Sequence, residues 1–217
     1  MLRYHLRQCT NSACRFRFPV ADNDQRGDYC PHCHAVTEAF AYPEHSISPV
    51  FSEPLPNSFH LELLLDNIRS IYNVGAMLRT ADGVGAAHVH LCGITAPPTH
   101  PKVMKTALGA EMKLPWTQWR NGVDTAVSLQ KQNYQLWALE AVPQAEPLYT
   151  AVITPPERPV LFIAGNEKVG VDPGILERCD RVFYLPMHGH KESLNVAVAF
   201  GIALYHIRFG RQQRIGN

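Results

Sequence analysis

Residues 185–207 read Leu-Pro-Met-His-Gly-His-Lys-Glu-Ser-Leu-Asn-Val-Ala-Val-Ala-Phe-Gly-Ile-Ala-Leu-Tyr-His-Ile. The residues leading into it, Arg181 to Leu185, have the branched and aromatic content of a short strand, which Pro186 ends. A polar loop with one glycine follows. Ser193 stands where a helix N-cap is expected, ahead of an apolar helix from Leu194 to about Ile207. Leu194, Ala197, Val198, Gly201, Ile202, Leu204 and Tyr205 recur at helical spacing, so this helix packs against a large body. Asn195 is a poor helix former in the first turn. Its amide can hold a loop or a ligand with both donor and acceptor, or simply help to cap its own helix. A strand, loop and helix in this order mark the end of a sheet at which α/β folds bind ligands.

Upstream the same alternation repeats. His60 to Asp66 reads as a strand, a helical pattern starts at Asn73 with Val74, Met77, Leu78, Ala81 and Val84 on its packing side, and Gly85 suits its C-cap. Gly75 allows another backbone or a substrate close to the helix start. Ala87 to Cys92 is a strand, Lys102 to Glu111 a short helix and turn, Asn121 to Gln132 a helix, and Tyr134 to Glu140 a strand. Val160 to Ala164 is a buried-type strand running into the loop Gly165-Asn-Glu-Lys-Val-Gly170. The pattern predicts an α/β fold with a mostly parallel sheet.

The 217 residues are 46% hydrophobic and 18% charged, with a net charge of +1. That suits one mid-sized domain with a small appendage, and it leaves no overall basic field, so a nucleic-acid partner needs local patches. No run approaches the roughly eighteen apolar residues of a membrane span, and the first residues lack a signal-peptide core; a cytoplasmic protein with no membrane partner is expected.

The amino-terminal part carries Cys9-x4-Cys14 and Cys30-x2-Cys33, two pairs whose thiolates can meet around one tetrahedral zinc. Cys9, Cys14, Cys30 and Cys33 suffice without His5, His32 or His34, and four protein ligands leave no place for a reacting water, so the ion is structural. A small zinc-ribbon-like module at 1–42, a proline-rich linker at 43–58 and a main domain at 59–217 are expected. Arg3, Arg7, Arg15 and Arg17 alternate with Tyr4, Phe16 and Phe18, which suits phosphate contact and base stacking. Asp22, Asp24, Asp28, Glu38 and Glu44 balance them, and a stabilising or dimer-contacting role stays open. His188 and His190 lack an obvious third metal ligand. Cys92, Cys179, Trp116 and Trp119 read as packing residues.

Three loops thus stand at strand ends: 67–79, 165–170 and 185–195. Asn-x5-Asn-x-Gly-x3-Arg-Thr, Gly-Asn-Glu-x2-Gly and Leu-Pro-Met…Ser-Leu-Asn-Val-Ala, in that order, resemble the three motifs of the SpoU/TrmH family of RNA 2′-O-ribose methyltransferases, within the SPOUT superfamily. The turn from Lys105 to Ala110 also looks like the family's segment between its first two motifs. The resemblance covers about residues 59–208; the cysteine module is no part of the family's common core.

The resemblance implies a deep trefoil knot at the carboxyl terminus. It implies S-adenosylmethionine as cofactor, held largely by backbone groups near Leu139, Gly165, Asn166, Glu167, Leu185, Met187 and Leu194. Arg79 matches the family's catalytic arginine. A guanidinium stays protonated at neutral pH, so gripping a phosphate and stabilising a developing alkoxide suits it at least as well as accepting a proton. Asn73 and Asn195 are expected to orient substrate and loops, and Glu167 to tie loops together or contact RNA. A homodimer is implied, with tRNA or rRNA as substrate, and Lys102, Lys105, Arg69 and the tail arginines Arg208, Arg211 and Arg214 are candidate RNA contacts. The alternatives are a catalytically silent RNA- or ribosome-binding relative and a base-directed RNA methyltransferase.

Overall fold

The computed structural model describes residues 4–40 and 59–210, in a chain whose internal contacts divide it into two units, Met1–Ser52 and Glu53–Asn217. Arg3, Glu44, the linker at 43–58 and the arginines Arg211 and Arg214 lie outside the described residues.

In the first unit β1 (Tyr4–Cys9) lies between β2 (Arg17–Ala21) and β3 (Thr37–Phe40) in an antiparallel sheet. Cross-strand partners share a face. Cys9 pairs with Thr37 and His5 with Val20, giving a row of buried or half-buried residues; Leu6 pairs with both Pro19 and Phe40 on the opposite face. A 3₁₀ turn at Gln25–Asp28, capped by Asp24, closes the inner side. Its Gly27 is buried against Val20, where a Cβ would overlap the valine methyls. The Thr37 hydroxyl donates to the Gly27 carbonyl, and Arg7 reaches Thr37 Oγ1 and Asp28 Oδ1, both at 2.7 Å.

The second unit is a three-layer α/β sandwich. Its seven strands are β4 (Leu61–Asp66), β5 (His88–Cys92), β6 (Trp116–Trp119), β7 (Gln135–Leu139), β8 (Glu146–Pro147), β9 (Val160–Ala164) and β10 (Arg181–Tyr184). They run in the order β6-β5-β4-β9-β7-β10-β8, and every pair is parallel. Helices α1 (Ile71–Gly83), α2 (Pro101–Ala107) and α5 (Val196–Phe209) pack on one face, and α3 (Gly122–Lys131) with the single turn α4 (Pro173–Leu176) on the other. Burial on both faces is why the central strands are almost unbroken apolar runs, Leu-Glu-Leu-Leu-Leu-Asp in β4 and Val-Leu-Phe-Ile-Ala in β9. Leu63, Phe162 and Phe183 face Met77, Phe200 and Leu204; Leu64, Leu161 and Ile163 face Ala126 and Ile175. No helix of the described residues is long and apolar enough to cross a membrane.

Several local readings shift. Helix α1 starts at Ile71 rather than Asn73, because the Ser70 side chain accepts the Asn73 N–H and serves as N-cap. Helix α5 starts at Val196, and its cap is Asn195, not Ser193: the Asn195 Oδ1 accepts from the N–H groups of Ala197 (2.9 Å) and Val198 (3.4 Å). Ser193 stands outside the helix and is exposed. The neighbour that Gly75 admits is α2, since a Cβ there would overlap Thr106. Strand β6, strand β8 and the turn α4 have no clear periodic signal in the sequence.

Helix α1 ends in a Schellman motif. Gly85 adopts φ +64°, the Gly85 N–H reaches Asp82 O and the Ala86 N–H reaches Ala81 O. Arg208 completes this end from α5. It is 3% exposed, and its guanidinium donates to the carbonyls of Val84 (2.8 Å), Gly85 (2.9 Å) and Phe59 (2.8 Å). A cation is well placed at a helix carboxyl end. The expected RNA contact at Arg208 is therefore corrected: the side chain is built into the fold.

Candidate functional site

Four loops converge at the carboxyl ends of β4, β7, β9 and β10, and one carboxylate makes most of the ties between the first and third. Glu167 Oε2 accepts from the Arg69 N–H at 2.8 Å; its Oε1 accepts from the Ser70 N–H and from Asn73 Nδ2, both at 2.9 Å. The first turn of α1 holds no acidic side chain of its own. Glu167 thus supplies the anion that the helix N-terminus favours. Burial pushes its carboxyl up, but the N–H groups of Arg69 and Ser70 outweigh this and hold it below the ordinary value.

Asn73 joins a second loop to the first. Its Oδ1 accepts from Asn195 Nδ2 at 3.1 Å, so the residue that caps α5 also meets the residue bonded to Glu167. Asn195 therefore does both things open to it in the sequence. Asn166 adds a parallel link: its Nδ2 donates to the Asn67 carbonyl at 2.7 Å, and its Oδ1 gathers the N–H groups of Lys168 and Val169. Asn67 itself sits at φ +56°, a conformation that asparagine tolerates.

The loop Gly165–Gly170 is closed by paired backbone bonds between Asn166 and Gly170, each 2.9 Å. A Cβ on Gly165 would overlap the Gly170 carbonyl, and Gly170 stands at φ +75° against the Glu140 carboxylate. Glu140 is a site residue that sequence reasoning misses. Its Oε2 accepts from the Val171 N–H and its Oε1 from the Ala141 N–H, so it links the end of β7 to the loop after β9. Its only sequence signal is its place, an acid directly after the last apolar residue of a strand.

These loops surround a cavity of about 340 Å³. Leu139, Gly165, Asn166, Glu167, Leu185, Met187 and Leu194 all line it, together with Glu140, Tyr184, Asn195 and Val196. Apolar side chains (Leu139, Leu185, Met187, Leu194, Val196) share the lining with amide, carboxylate and backbone groups, a mixture that suits a small organic ligand with polar substituents. Arg79 is not among the lining residues. It lies on the exposed surface of α1, about 9 Å along the axis from Asn73. Lys102, Lys105 and Arg69 are exposed as expected.

In the amino-terminal unit the sulfur atoms of Cys9, Cys14, Cys30 and Cys33 lie within 4.8 Å of one another. Cys9 and Cys33 are 3.4 Å apart and Cys14 and Cys30 3.8 Å. A tetrahedral zinc with bonds of about 2.3 Å requires sulfur separations of about 3.8 Å, so the donor set fits that ion. Each cysteine turn ends in a left-handed residue, Arg15 at φ +49° and His34 at φ +61°. Burial pushes up the Cys30 thiol, but the N–H groups of Cys33 and His32 outweigh it and bring the value to about 7. His5 turns instead to Asp22 at 3.0 Å. A second polar cluster, in the other unit, joins Glu62 to His90 (2.8 Å), His60 (2.9 Å) and Tyr134 (2.8 Å), and the Trp119 indole N–H donates to His90 Nδ1.

Residues 60–205 match the family model described as the SpoU rRNA Methylase family. The chain is similar to the 23S rRNA (guanosine(2553)-2′-O)-methyltransferase RlmP of Bacillus subtilis, 35% identical over 67% of this chain and 57% of the relative. It is similar over a longer stretch to the 23S rRNA (guanosine-2′-O-)-methyltransferase RlmB of Pseudomonas aeruginosa, 30% identical over 91% of this chain and 80% of that one. A solved TrmH/SpoU tRNA modifying enzyme from A. aeolicus superposes with a TM-score of 0.62 at 26% identity, over 74% of this chain and 79% of that one. The match to RlmP spans little more than half of that relative's length.

Proposed function

From membership of the SpoU rRNA methylase family, to which this chain belongs, we propose that it methylates a ribose 2′-hydroxyl of RNA, using S-adenosylmethionine. The observation that carries this reading is the cavity at the strand ends, walled by the second and third family motifs and the end of β7, and tied to the first motif by the contacts among Glu167, Asn73 and Asn195. When bound there, the cofactor supplies a methyl group on a sulfonium, already a good electrophile.

The chain's own residues then have two tasks. One is to hold donor and acceptor in line, and the ties from Glu167 to α1 and from Asn195 to Asn73 serve that positioning. The other is to ease loss of the hydroxyl proton. Arg79, a guanidinium that stays charged, would stabilise the developing alkoxide or grip the adjoining phosphate. Arg79 lies outside the cavity of its own subunit, which suits a homodimer in which one subunit's arginine faces its partner's cofactor. The exposed flank of α5, with Val198 at 51% and Tyr205 at 50% exposure, suits a subunit contact. The knot expected of the family is supported by the insertion of β9 between β4 and β7, and by the return of the 185–195 loop to Asn73. The four cysteines of the amino-terminal unit would hold one structural zinc, which lends folding energy to a unit whose described residues bury few apolar side chains.

The test is methyl transfer from labelled S-adenosylmethionine to rRNA and, separately, tRNA, followed by alkaline hydrolysis. A 2′-O-methyl group blocks cleavage at its own phosphate, so label in alkali-resistant dinucleotides supports ribose methylation. Label in mononucleotides alone moves the acceptor to a base. No label from protein that binds both cofactor and RNA sinks the proposal. Arg79→Ala is expected to bind the cofactor normally and to lose methyl transfer by a factor on the order of 100 or more; near-normal turnover would remove Arg79 from the chemistry.

A further inference from the structure

We infer that the β2 edge of the amino-terminal sheet, with Arg15, Phe16 and Arg17 and the Phe40 ring beside Arg17, binds unpaired RNA. The inference rests on the proposal above that RNA is the substrate, and it assigns the unit outside the family core a share in holding it.

The first observation is a separation of charge that the overall balance conceals. The described residues of this unit carry four arginines (7, 15, 17 and 26) and four acids (22, 24, 28 and 38). Three of those acids have partners at the 22–28 end: Arg7 meets Asp28 at 2.7 Å, Arg26 meets Asp24 at 2.6 Å, and His5 meets Asp22 at 3.0 Å. Arg15, in the turn before β2, and Arg17 remain, with one acid, Glu38, on the Arg17 face of the sheet. Phosphates would find a net positive surface there and nowhere else on the unit's described residues.

The second observation is a pair of flat surfaces beside those charges. The register places Arg17 opposite Gln8, and Phe40 opposite the neighbouring Leu6, on the same outward face. The guanidinium carbon of Arg17 lies 4.5 Å from the Phe40 ring centroid, and its Nη1 donates to Gln8 Oε1 at 3.3 Å. One side of the guanidinium is thus covered by the ring, and Arg17 is an exposed residue, so a base can stack on its other side. On the other side of this edge strand Phe16 packs beside Phe18, 5.6 Å between centroids; it is 43% exposed and stacked on His32, 6.2 Å between centroids and 19° between planes. Tyr4, 53% exposed, adds a third ring on the Arg17 face. Rings interleaved with unpaired arginines are what single-stranded nucleic acid requires, because each base offers a flat face and each phosphate a charge. A duplex hides its bases, and an acidic protein surface offers nothing to lay against Arg17 or Phe16.

The competing role for the two arginines is to offset the negative charge of a zinc held by four thiolates. The experiment separates the two. Binding of a fluorescent, unstructured RNA oligonucleotide to the full chain is measured over a range of salt, beside the same strand annealed to its complement. Metal content and S-adenosylmethionine affinity are measured on each variant. The parent is expected to prefer the single strand. The double variant Arg15→Gln, Arg17→Gln is expected to lower the slope of log affinity against log salt by about 1.4, roughly 0.7 for each phosphate no longer neutralised. Phe16→Leu is expected to weaken binding by roughly 5- to 100-fold with the slope unchanged. Arg17→Lys, which keeps charge but not the plane, is expected to keep the slope and lose affinity. Metal content and cofactor affinity are expected to stay at the parent values throughout.

Unchanged RNA affinity in these variants, a preference for the duplex, or loss of metal without loss of RNA binding would each overturn the inference. The activity proposal fails separately. A chain that binds RNA through this face yet transfers no methyl group would leave the inference standing and remove the methyltransferase reading.

Discussion

Replacing Glu167 by glutamine tests whether the loops around the cavity act as one assembly. The carboxylate gathers three donors from a segment that lies 94 to 98 residues earlier in the chain. Glutamine keeps one carbonyl oxygen, enough for the Ser70 N–H and Asn73 Nδ2, but turns an amide group towards the Arg69 N–H. One charge-assisted hydrogen bond, about 1.5–3 kcal/mol where buried, and a helix-end interaction of about 0.3–1 kcal/mol disappear. Glu167 is exposed on one side, so the low end applies, and about 1–2 kcal/mol is the expected net cost. If the cofactor binds only when the loops are tied, that cost appears as a 5- to 30-fold weaker affinity for S-adenosylmethionine, roughly tenfold per 1.4 kcal/mol. The measurement is calorimetric titration of parent and Glu167→Gln at neutral pH and in acid, with a urea midpoint for each. Because the folded carboxyl lies below its ordinary value, its contribution is complete above that ordinary value and is lost as pH falls through the lowered one. Parent and variant should therefore differ fully at neutral pH and converge in acid. Affinities within twofold at neutral pH, or a gap that widens on acidification, would refute the reasoning.

The other expectations concern the rest of the chain. Chelation of metal or Cys30→Ser should unfold the amino-terminal unit, seen as loss of its amide protection, while cofactor binding by the second unit persists; protection unchanged after complete chelation would rule out a structural metal. Arg208→Met should lower the unfolding free energy by about 2–4 kcal/mol, because the carbonyls of Val84, Gly85 and Phe59 lose their donors; a stable variant with weakened RNA binding would restore the tail reading. Glu62 is 12% exposed. Burial pushes its carboxyl up, but hydrogen bonds from His90, His60 and Tyr134 outweigh this and bring it from 4.5 to about 2. The folded value is depressed, so up to about 3 kcal/mol of stability is present above pH 4.5 and is lost as pH falls towards 2. Glu62→Gln should flatten that part of the acid denaturation profile, and an unchanged profile would exclude the cluster as its source.

Much of the second unit was legible because its strands are short apolar runs separated by amphipathic helices. Leu61–Asp66 and Val160–Ala164 allow little else once both sheet faces must be covered. What could not be read was anything decided by a partner distant in the chain. The edge strand Trp116–Trp119 reads aromatic, polar, polar, aromatic, with no two-residue period, and only pairing with β5 makes it a strand. Arg208 looks in the sequence like one of several basic residues near the end of the chain. Its burial depends on three carbonyls that lie 123 to 149 residues away.

The candidate site divides in the same way. The glycines, asparagines and Glu167 announced a loop assembly through their types and spacing, while the choice between capping and contact for Asn195 could not be made from one segment. The structure resolves it through geometry: the Oδ1 of Asn195 caps α5 while its Nδ2 reaches Asn73, so one amide fixes both the start of the helix and its distance from α1. Serine at position 193 offers one hydroxyl and no such pair of opposed groups. The helix consequently begins at Val196, and Leu194 is left in the loop, where it lines the cavity rather than packing as a helical residue. A shift of two residues in a cap thus turns an apolar side chain from core to ligand wall. An Asn195→Ser substitution would keep a cap and lose the tie, so the two uses of the residue are separable in principle by comparing helix stability with cofactor affinity.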